Sequence, residues 1–259
     1  FTLLKVKDVS KDIFIGNRAK RIYVKDKEFG IPFLSSSAIL QTDFDKVKHA
    51  SKKYTPCIEQ MKLQKGWTLI TRSGTIGNCA FANNKHAQKL ASEDVIRLVP
   101  DNILREGLIY AFLASRYGFS LLTQGTFGAV IQHIEPDYVG SLPIPHFPNS
   151  FQDEVDSLIQ ESAYLREKAT DLLGQAKSLL SDYLDISFKK QRFKTGVVSS
   201  KNIWNSLQYR LDPPAIMNDG VLSMSTIIEK FKHTKIGHIN GRVYRPGIFK
   251  RNYVYDGIP

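Results

Sequence analysis

The residues best suited to chemistry in this 259-residue chain lie in the run Thr71-Arg72-Ser73-Gly74-Thr75-Ile76-Gly77. An arginine just ahead of a loop with two glycines can set its flat, five-donor guanidinium against a phosphate or a guanine edge. Gly74 and Gly77 permit positive φ or close backbone approach, and backbone N–H groups in such a loop can meet an anion. Ser73 and Thr75 add hydroxyls. The plainer alternatives are that Arg72 is a surface arginine at a strand end and the glycines only form a turn. A second run of similar kind is Thr123-Gln124-Gly125-Thr126-Phe127-Gly128-Ala129-Val130-Ile131-Gln132-His133-Ile134. There Gln124 and Thr126 can read bases or position a backbone, and Gly125 and Gly128 shape the loop. Asn17, Arg18, Lys20 and Arg21 form a basic loop, while Lys46, Lys48, Lys52 and Lys53 form a second basic patch or a solvated face.

Other chemistries find little support. Gly74-Thr75-Ile76-Gly77 lacks the spacing of a dinucleotide fingerprint and the Gly-Lys-Ser/Thr ending of a phosphate loop. The six histidines show no metal-ligand spacing. Cys57 and Cys79 are too few and too far apart for a disulfide framework or a zinc site. Either cysteine would need a positioned histidine to act as a nucleophile. No paired carboxylate motif of the nuclease kind and no Asn-Pro-Pro-Tyr-like methyltransferase motif is present. The sequence therefore predicts no catalytic residues, no bound metal and no cofactor held by this chain.

The elements that must position these loops read as follows. Residues 3–9, 21–25, 67–71, 78–82, 95–99 and 129–134 have strand character, and 31–34 is extended after a turn at Gly30. Residues 104–115 have helical spacing. Leu142-Pro143-Ile144-Pro145 is extended and marks a domain edge, since both prolines lack a ladder donor. Across residues 152–186, Val155, Leu158, Ser162, Leu165, Ala169, Leu172, Ala176, Leu179, Tyr183 and Ile186 recur in alternating steps of three and four. This heptad pattern predicts a helix roughly 50 Å long. Its apolar stripe requires cover, either another long helix or a face of its own domain.

Charge follows the same division. Residues 1–150 carry a balance of +7, residues 151–187 a balance of −5, and residues 188–259 a balance of +9, for a net +11. Two basic blocks flank an acidic one. Basic surfaces attract polyanions, so nucleic acid is the leading partner, with a merely soluble basic protein as the alternative. No apolar run approaches the roughly 20 residues of a membrane span, and residues 1–16 lack a signal-peptide core. The expectation is a cytoplasmic protein without membrane contact.

The two ends resemble each other. Ile15-Gly16-Asn17-Arg18 leads to Gly30-Ile31-Pro32, and Ile239-Asn240-Gly241-Arg242, followed by Arg245, leads to Gly257-Ile258-Pro259. This predicts an internal duplication, with the second copy cut off shortly after it begins.

The order of the Arg72 run, the Gln124 run, the Leu142-Pro143-Ile144-Pro145 exit and the long helix resembles the specificity subunit of type I restriction-modification enzymes. Related recognition regions of single-chain type II enzymes are similar. The resemblance implies an α/β (α+β) fold with a mixed or antiparallel sheet, followed by a long coiled-coil-forming helix. It implies a target-recognition domain at 1–150, a spacer helix at 151–190, and a linker with the head of a second recognition domain at 191–259. In that family two such domains read the halves of a bipartite site on double-stranded DNA, and paired helices set the distance between them. The helix seam would comprise Val155, Leu158, Leu165, Leu172, Leu179 and Tyr183, with self-association through it as one outcome. Modification (methyltransferase) subunits and, through them, a restriction subunit would be the protein partners. S-adenosylmethionine, Mg2+ and ATP would belong to those subunits. Arg72, Ser73, Thr75, Gln124, Thr126, Asn17, Arg18, Lys20, Arg21, Lys46, Lys48, Arg242 and Arg245 would face DNA, with Gly74, Gly77, Gly125 and Gly128 as structural loop glycines. A coiled-coil assembly adaptor is the third reading, and it leaves the basic blocks unexplained.

Overall fold

Alternation along two strands, Thr68–Thr71 (β6) and Val95–Pro100 (β9), sets up the interior. Ile70, Ile96 and Leu98 turn to one side of their sheet, while Leu69 and Val95 turn to the other. Both sides are covered, so β6 is buried throughout and β9 from Val95 to Leu98, rather than half-polar. The computed structural model describes residues 2–18, 20–126, 132–184, 227–232 and 234.

Among the described residues, ten strands form three sheets. The earlier strands are Thr2–Lys5 (β1), Ser10–Ile15 (β2), Tyr23–Val24 (β3), Gly30–Leu34 (β4) and His49–Ser51 (β5). The later ones are Cys79–Phe81 (β7), Leu90–Ala91 (β8) and Pro143–His146 (β10). The main sheet has the order β2-β9-β6-β7 and is antiparallel. The second, β3-β5-β4-β8, is mixed, because β4 and β8 run parallel. The third pairs β1 with β10 antiparallel, Leu3 opposite Pro145.

The helices are Ile58–Met61 (α1), Glu106–Ala114 (α2), Arg116–Gln124 (α3), Pro136–Ser141 (α4) and Asn149–Leu184 (α5). Leu108, Ile109 and Leu113 of α2, Leu122 of α3 and Val139 of α4 close the core over Ile70, Ile96 and Leu98. The fold is thus a mixed α/β domain followed by a long helix.

Several local expectations change. Residues 3–9 are not one strand. Val6 and Val9, both fully buried, sit in a 3-10 turn whose three-residue period puts them on the same side. Helix α3 was not foreseen, because Gly118, Ser120 and Thr123 are weak helix formers. Its start is capped by Ser115, whose hydroxyl accepts from the Gly118 N–H at 3.3 Å. The extended segment at 143–146 is a paired strand, and its edge position tolerates two prolines.

The chain divides into two compact units, Phe1–Gln175 and Ala176–Pro259. Within the first, α5 lies on the domain through Gln152, Val155, Asp156, Ile159, Gln160, Ala163, Glu167 and Thr170. The start of α2 leaves backbone donors without helical partners, and α5 supplies acceptors. Gln152 Oε1 accepts from the Arg105 N–H at 3.2 Å, and Asp156 Oδ1 accepts from the Gly107 N–H at 2.7 Å. Negative charge there also suits the helix dipole. Glu167 accepts from Asn84 at 2.7 and 2.9 Å, and Lys85 pairs with Asp171. Much of the acidic character of α5 therefore serves contact with its own domain.

The seam residues stand off that contact. Leu158, Leu165 and Leu172 are each more than half exposed, while Val155, at the start of the seam, is partly buried. Among the described residues the helix thus has two apolar faces, one used by the domain and one open. In the second unit, the ring of Tyr183 stacks on Phe231, centroids 5.9 Å apart, and Leu179 is exposed. No helix among the described residues is long and apolar enough to cross a membrane. The readings that involve Gly128, residues 127–131, Ile186, residues 185–226, Asn240, Arg242 and Arg245 lie outside the described residues.

Candidate nucleic-acid interface

The loop after β6 is built from its own backbone and from neighbours on three sides. Gly74 and Gly77 both have positive φ, +76° and +81°. The Gly77 N–H donates to the Thr71 carbonyl at 3.0 Å, and the Asn78 N–H donates to Thr71 Oγ1 at 3.0 Å. A Cβ at Gly77 would press on Thr123 Cγ2 at 3.2 Å, so glycine lets the loop lie close to α3. At Gly74 the space is open, and Gly74 and Thr75 form the exposed tip.

Arg72 is more enclosed than its neighbours. Its side chain is 17% exposed, and its guanidinium pairs with Glu135. Its N–H donates to the Asp94 carbonyl at 2.8 Å, and its own carbonyl accepts from the Ile134 N–H at 3.3 Å. The Ser73 hydroxyl donates to Asp94 Oδ1 at 2.8 Å. Gln124 is exposed and Thr126 half-buried, on the turn that ends α3. Gly125 is there because Tyr138 is. A Cβ would collide with the Tyr138 ring, whose hydroxyl donates to the Leu121 carbonyl at 2.6 Å.

The basic loop at 17–21 meets Glu93, the neighbour of Asp94 in the turn between β8 and β9. Arg21 pairs with Glu93, and Arg18 Nε lies 3.8 Å from it. Partial burial opposes the Arg21 charge, but the hydrogen bond and the charge of Glu93 outweigh it and hold Arg21 above its ordinary range. Arg21 also lies 5.0 Å over the Phe33 ring, which meets Tyr23 edge-on at 6.0 Å, and Lys48 Nζ sits 5.1 Å over Tyr23. This alternation of cations and rings presets the directions of Arg21 and Lys48. Asn17 donates to Gln60, and Lys20 and Lys46 are exposed. Lys52 donates to the Glu28 carbonyl at 2.7 Å, and Lys53 lies 5.4 Å over Tyr54.

Glu93 and Asp94 thus join two loops that are fifty residues apart in sequence. Beneath them lies Arg97, which is fully buried. Its guanidinium donates to the carbonyls of Ala91 at 2.5 Å, Ser92 at 2.9 Å and Val95 at 2.6 Å. Burial lowers its pKa to about 10, so it stays cationic at neutral pH. Gly16, at the base of the basic loop, lies against this group, since a Cβ there would come within 2.7 Å of Arg97 Nη2. Glu93, Asp94, Arg97 and Glu135 were not foreseen. Only Arg97 left a signal, as a lone cation inside the apolar run Val95-Ile96-Arg97-Leu98-Val99.

Among the described residues, no group of three or more His, Cys, Asp or Glu is placed to hold a metal. Burial pushes the Cys79 thiol up to about 12, which leaves it protonated and a poor nucleophile at neutral pH.

No protein-family model and no curated protein matches the chain. Solved structures similar to it include the type I restriction-modification S subunit from M. genitalium. That match has 16% identity and a TM-score of 0.44, and it covers 71% of this chain and 44% of the other. The HsdS subunit from Thermoanaerobacter tengcongensis is similar at 15% identity and TM-score 0.45, over 65% of this chain and 39% of that one. The type IIG restriction endonuclease BpuSI is similar at 12% identity and TM-score 0.43, over 61% and 26% respectively. The chain spans less than half the length of each of these proteins.

Proposed function

We propose that this chain is a non-catalytic DNA-recognition module that reads one half of a bipartite site for a restriction-modification assembly. The observation that carries this reading is the convergence of two cationic loops on one turn, Arg18 and Arg21 at Glu93 and the Arg72 loop at Asp94. A pair of loops held on a rigid sheet suits base and phosphate contact better than catalysis. Arg18, Lys20, Arg21, Lys46 and Lys48 supply phosphate contacts, and Thr75, Gln124 and Thr126 supply base contacts. Asn17 and Ser73 shape the two loops, and Arg72 holds the second in place through Glu135. Arg242 and Arg245, with Asn240, serve as the counterpart loop of a second recognition domain within 191–259.

The long helix is the spacer. Its acidic character suits protein contact, and its open seam at Leu158, Leu165 and Leu172 accepts the matching seam of a second copy of the chain. Modification subunits dock on this scaffold and bring S-adenosylmethionine; a restriction subunit joins through them with ATP and Mg2+. The assembly works on cytoplasmic DNA.

Co-purification with the products of neighbouring genes, followed by mapping of methylated bases in host DNA, tests the proposal. A modification subunit in the complex and a methylated motif in two parts, separated by a fixed gap, are the expected results. Purification without such a subunit, together with host DNA that carries no methylated motif dependent on this gene, would refute it.

A further inference from the structure

The turn between β8 and β9 does more than connect strands. It is secured from below by the three Arg97 hydrogen bonds and from the side by the Ser92 N–H, which donates to the Leu34 carbonyl at 2.9 Å. Asp94 is further fixed by its N–H, which donates to Ser92 Oγ at 3.3 Å. Its neighbour Glu93 is therefore a carboxylate on a rigid support, only 15% exposed, and it pairs with Arg21 of an exposed loop. The loop begins at Gly16, which itself rests on Arg97. A closed circuit runs from Gly16 to Arg97, to the turn, to Glu93, and back to Arg21.

We infer that Glu93 is a positioning residue that holds the loop at 17–21 in one place through Arg21 and keeps that arginine from binding phosphate indiscriminately. This inference rests on the DNA-recognition reading. Sequence-independent affinity grows with every cation free to displace a counterion. A recognition module gains discrimination when part of that affinity is withheld until the loop meets a surface that competes with the carboxylate. The geometry suits that task. The Glu93 carboxylate accepts a hydrogen bond from Arg21, whose guanidinium is also backed by the Phe33 ring, while Arg18 stays 90% exposed at 3.8 Å.

The test compares the full chain with Glu93→Gln, Glu93→Asp and Asp12→Asn. Asp12 lies in the half of β2 farther from the loop, and its substitution adds the same charge as Glu93→Gln. The probe is a random-sequence duplex, titrated at several salt concentrations. Glu93→Gln is expected to bind about 3- to 10-fold more tightly, with a salt dependence steeper by about one counterion. Asp12→Asn is expected to change affinity by less than about twofold, as a distant screened charge does. Brief trypsin digestion, read by mass spectrometry, supplies a second measure that needs no DNA. Cleavage after Arg18, Lys20 and Arg21 is expected to quicken several-fold in both Glu93 variants, including Glu93→Asp, which keeps the charge but shortens its reach. Glu93 variants that bind like Asp12→Asn and resist trypsin like the parent would overturn the inference while leaving the DNA reading intact. A parent chain that binds no duplex would overturn the DNA reading, and unchanged trypsin cleavage would then still reject the clamp itself.

Discussion

The guanidinium of Arg72 lies against the carboxylate of Glu135, 63 residues further along the chain, while the backbone of Arg72 bonds to Asp94 and Ile134. One residue thus ties the loop after β6 to two other segments. An arginine in that position acts first by holding the loop, and it would have to leave Glu135 to present its full fork to a base.

This arrangement predicts that Arg72→Ala weakens binding on all duplex sequences alike. Loss confined to a preferred sequence, at about 1–3 kcal/mol, would instead indicate a bidentate base contact. A double-mutant cycle with Glu135→Gln, read by urea unfolding, should give a coupling of about 1 kcal/mol, the scale of a partly exposed pair.

Arg97→Met is expected to destabilise the domain by on the order of 3 kcal/mol, since the buried carbonyls of Ala91 and Val95 would each lose a donor and that of Ser92 would keep only the Val95 N–H. Arg97→Lys should recover part of that loss, because one ammonium cannot reproduce the fork. The urea midpoint gives both values. Amide exchange should quicken in the Ser92 to Asp94 turn of each variant. A midpoint for Arg97→Met equal to the parent's would reject the role assigned to this arginine.

The two faces of α5 should separate under mutation. Leu165→Ser and Leu172→Ser should change domain stability by less than about 0.5 kcal/mol, as exposed positions do. Each should weaken self-association by at least about tenfold, given the roughly 1.5–3 kcal/mol that a buried leucine contributes. Val155→Ala, nearer the domain contact, should cost about 1 kcal/mol of stability. Sedimentation equilibrium and thermal unfolding distinguish the outcomes. A monomeric parent chain would remove the second-copy pairing from the proposal.

The sequence was most legible where periodicity is long or local chemistry is strict. The 3- and 4-residue recurrence from Val155 to Tyr183 announced α5, and Gly74 and Gly77 announced a tight loop that their positive φ values require. It was least legible where a contact joins distant segments. Nothing near Arg72 points to Glu135, and nothing near Arg21 points to Glu93. The heptad stripe also concealed a second face, because Asp156, Gln160 and Glu167 look like solvated polar positions until Gly107, Glu106 and Asn84 are found opposite them. Short strands such as Leu90–Ala91 exist through pairing with β4 and carry no period of their own.

The account stands or falls on DNA binding through the basic loops, and the salt dependence of duplex affinity measures this most directly. With Lys20, Lys46 and Lys48 exposed, and with Arg18 and Arg21 partly engaged by Glu93, about three to five phosphates should be neutralised. The slope of log affinity against log salt should then be about −2.7 to −4.5, a fall of roughly 40- to 500-fold over a fourfold rise in salt. Affinity that does not change over that range, or no binding to any duplex at low salt, would contradict it.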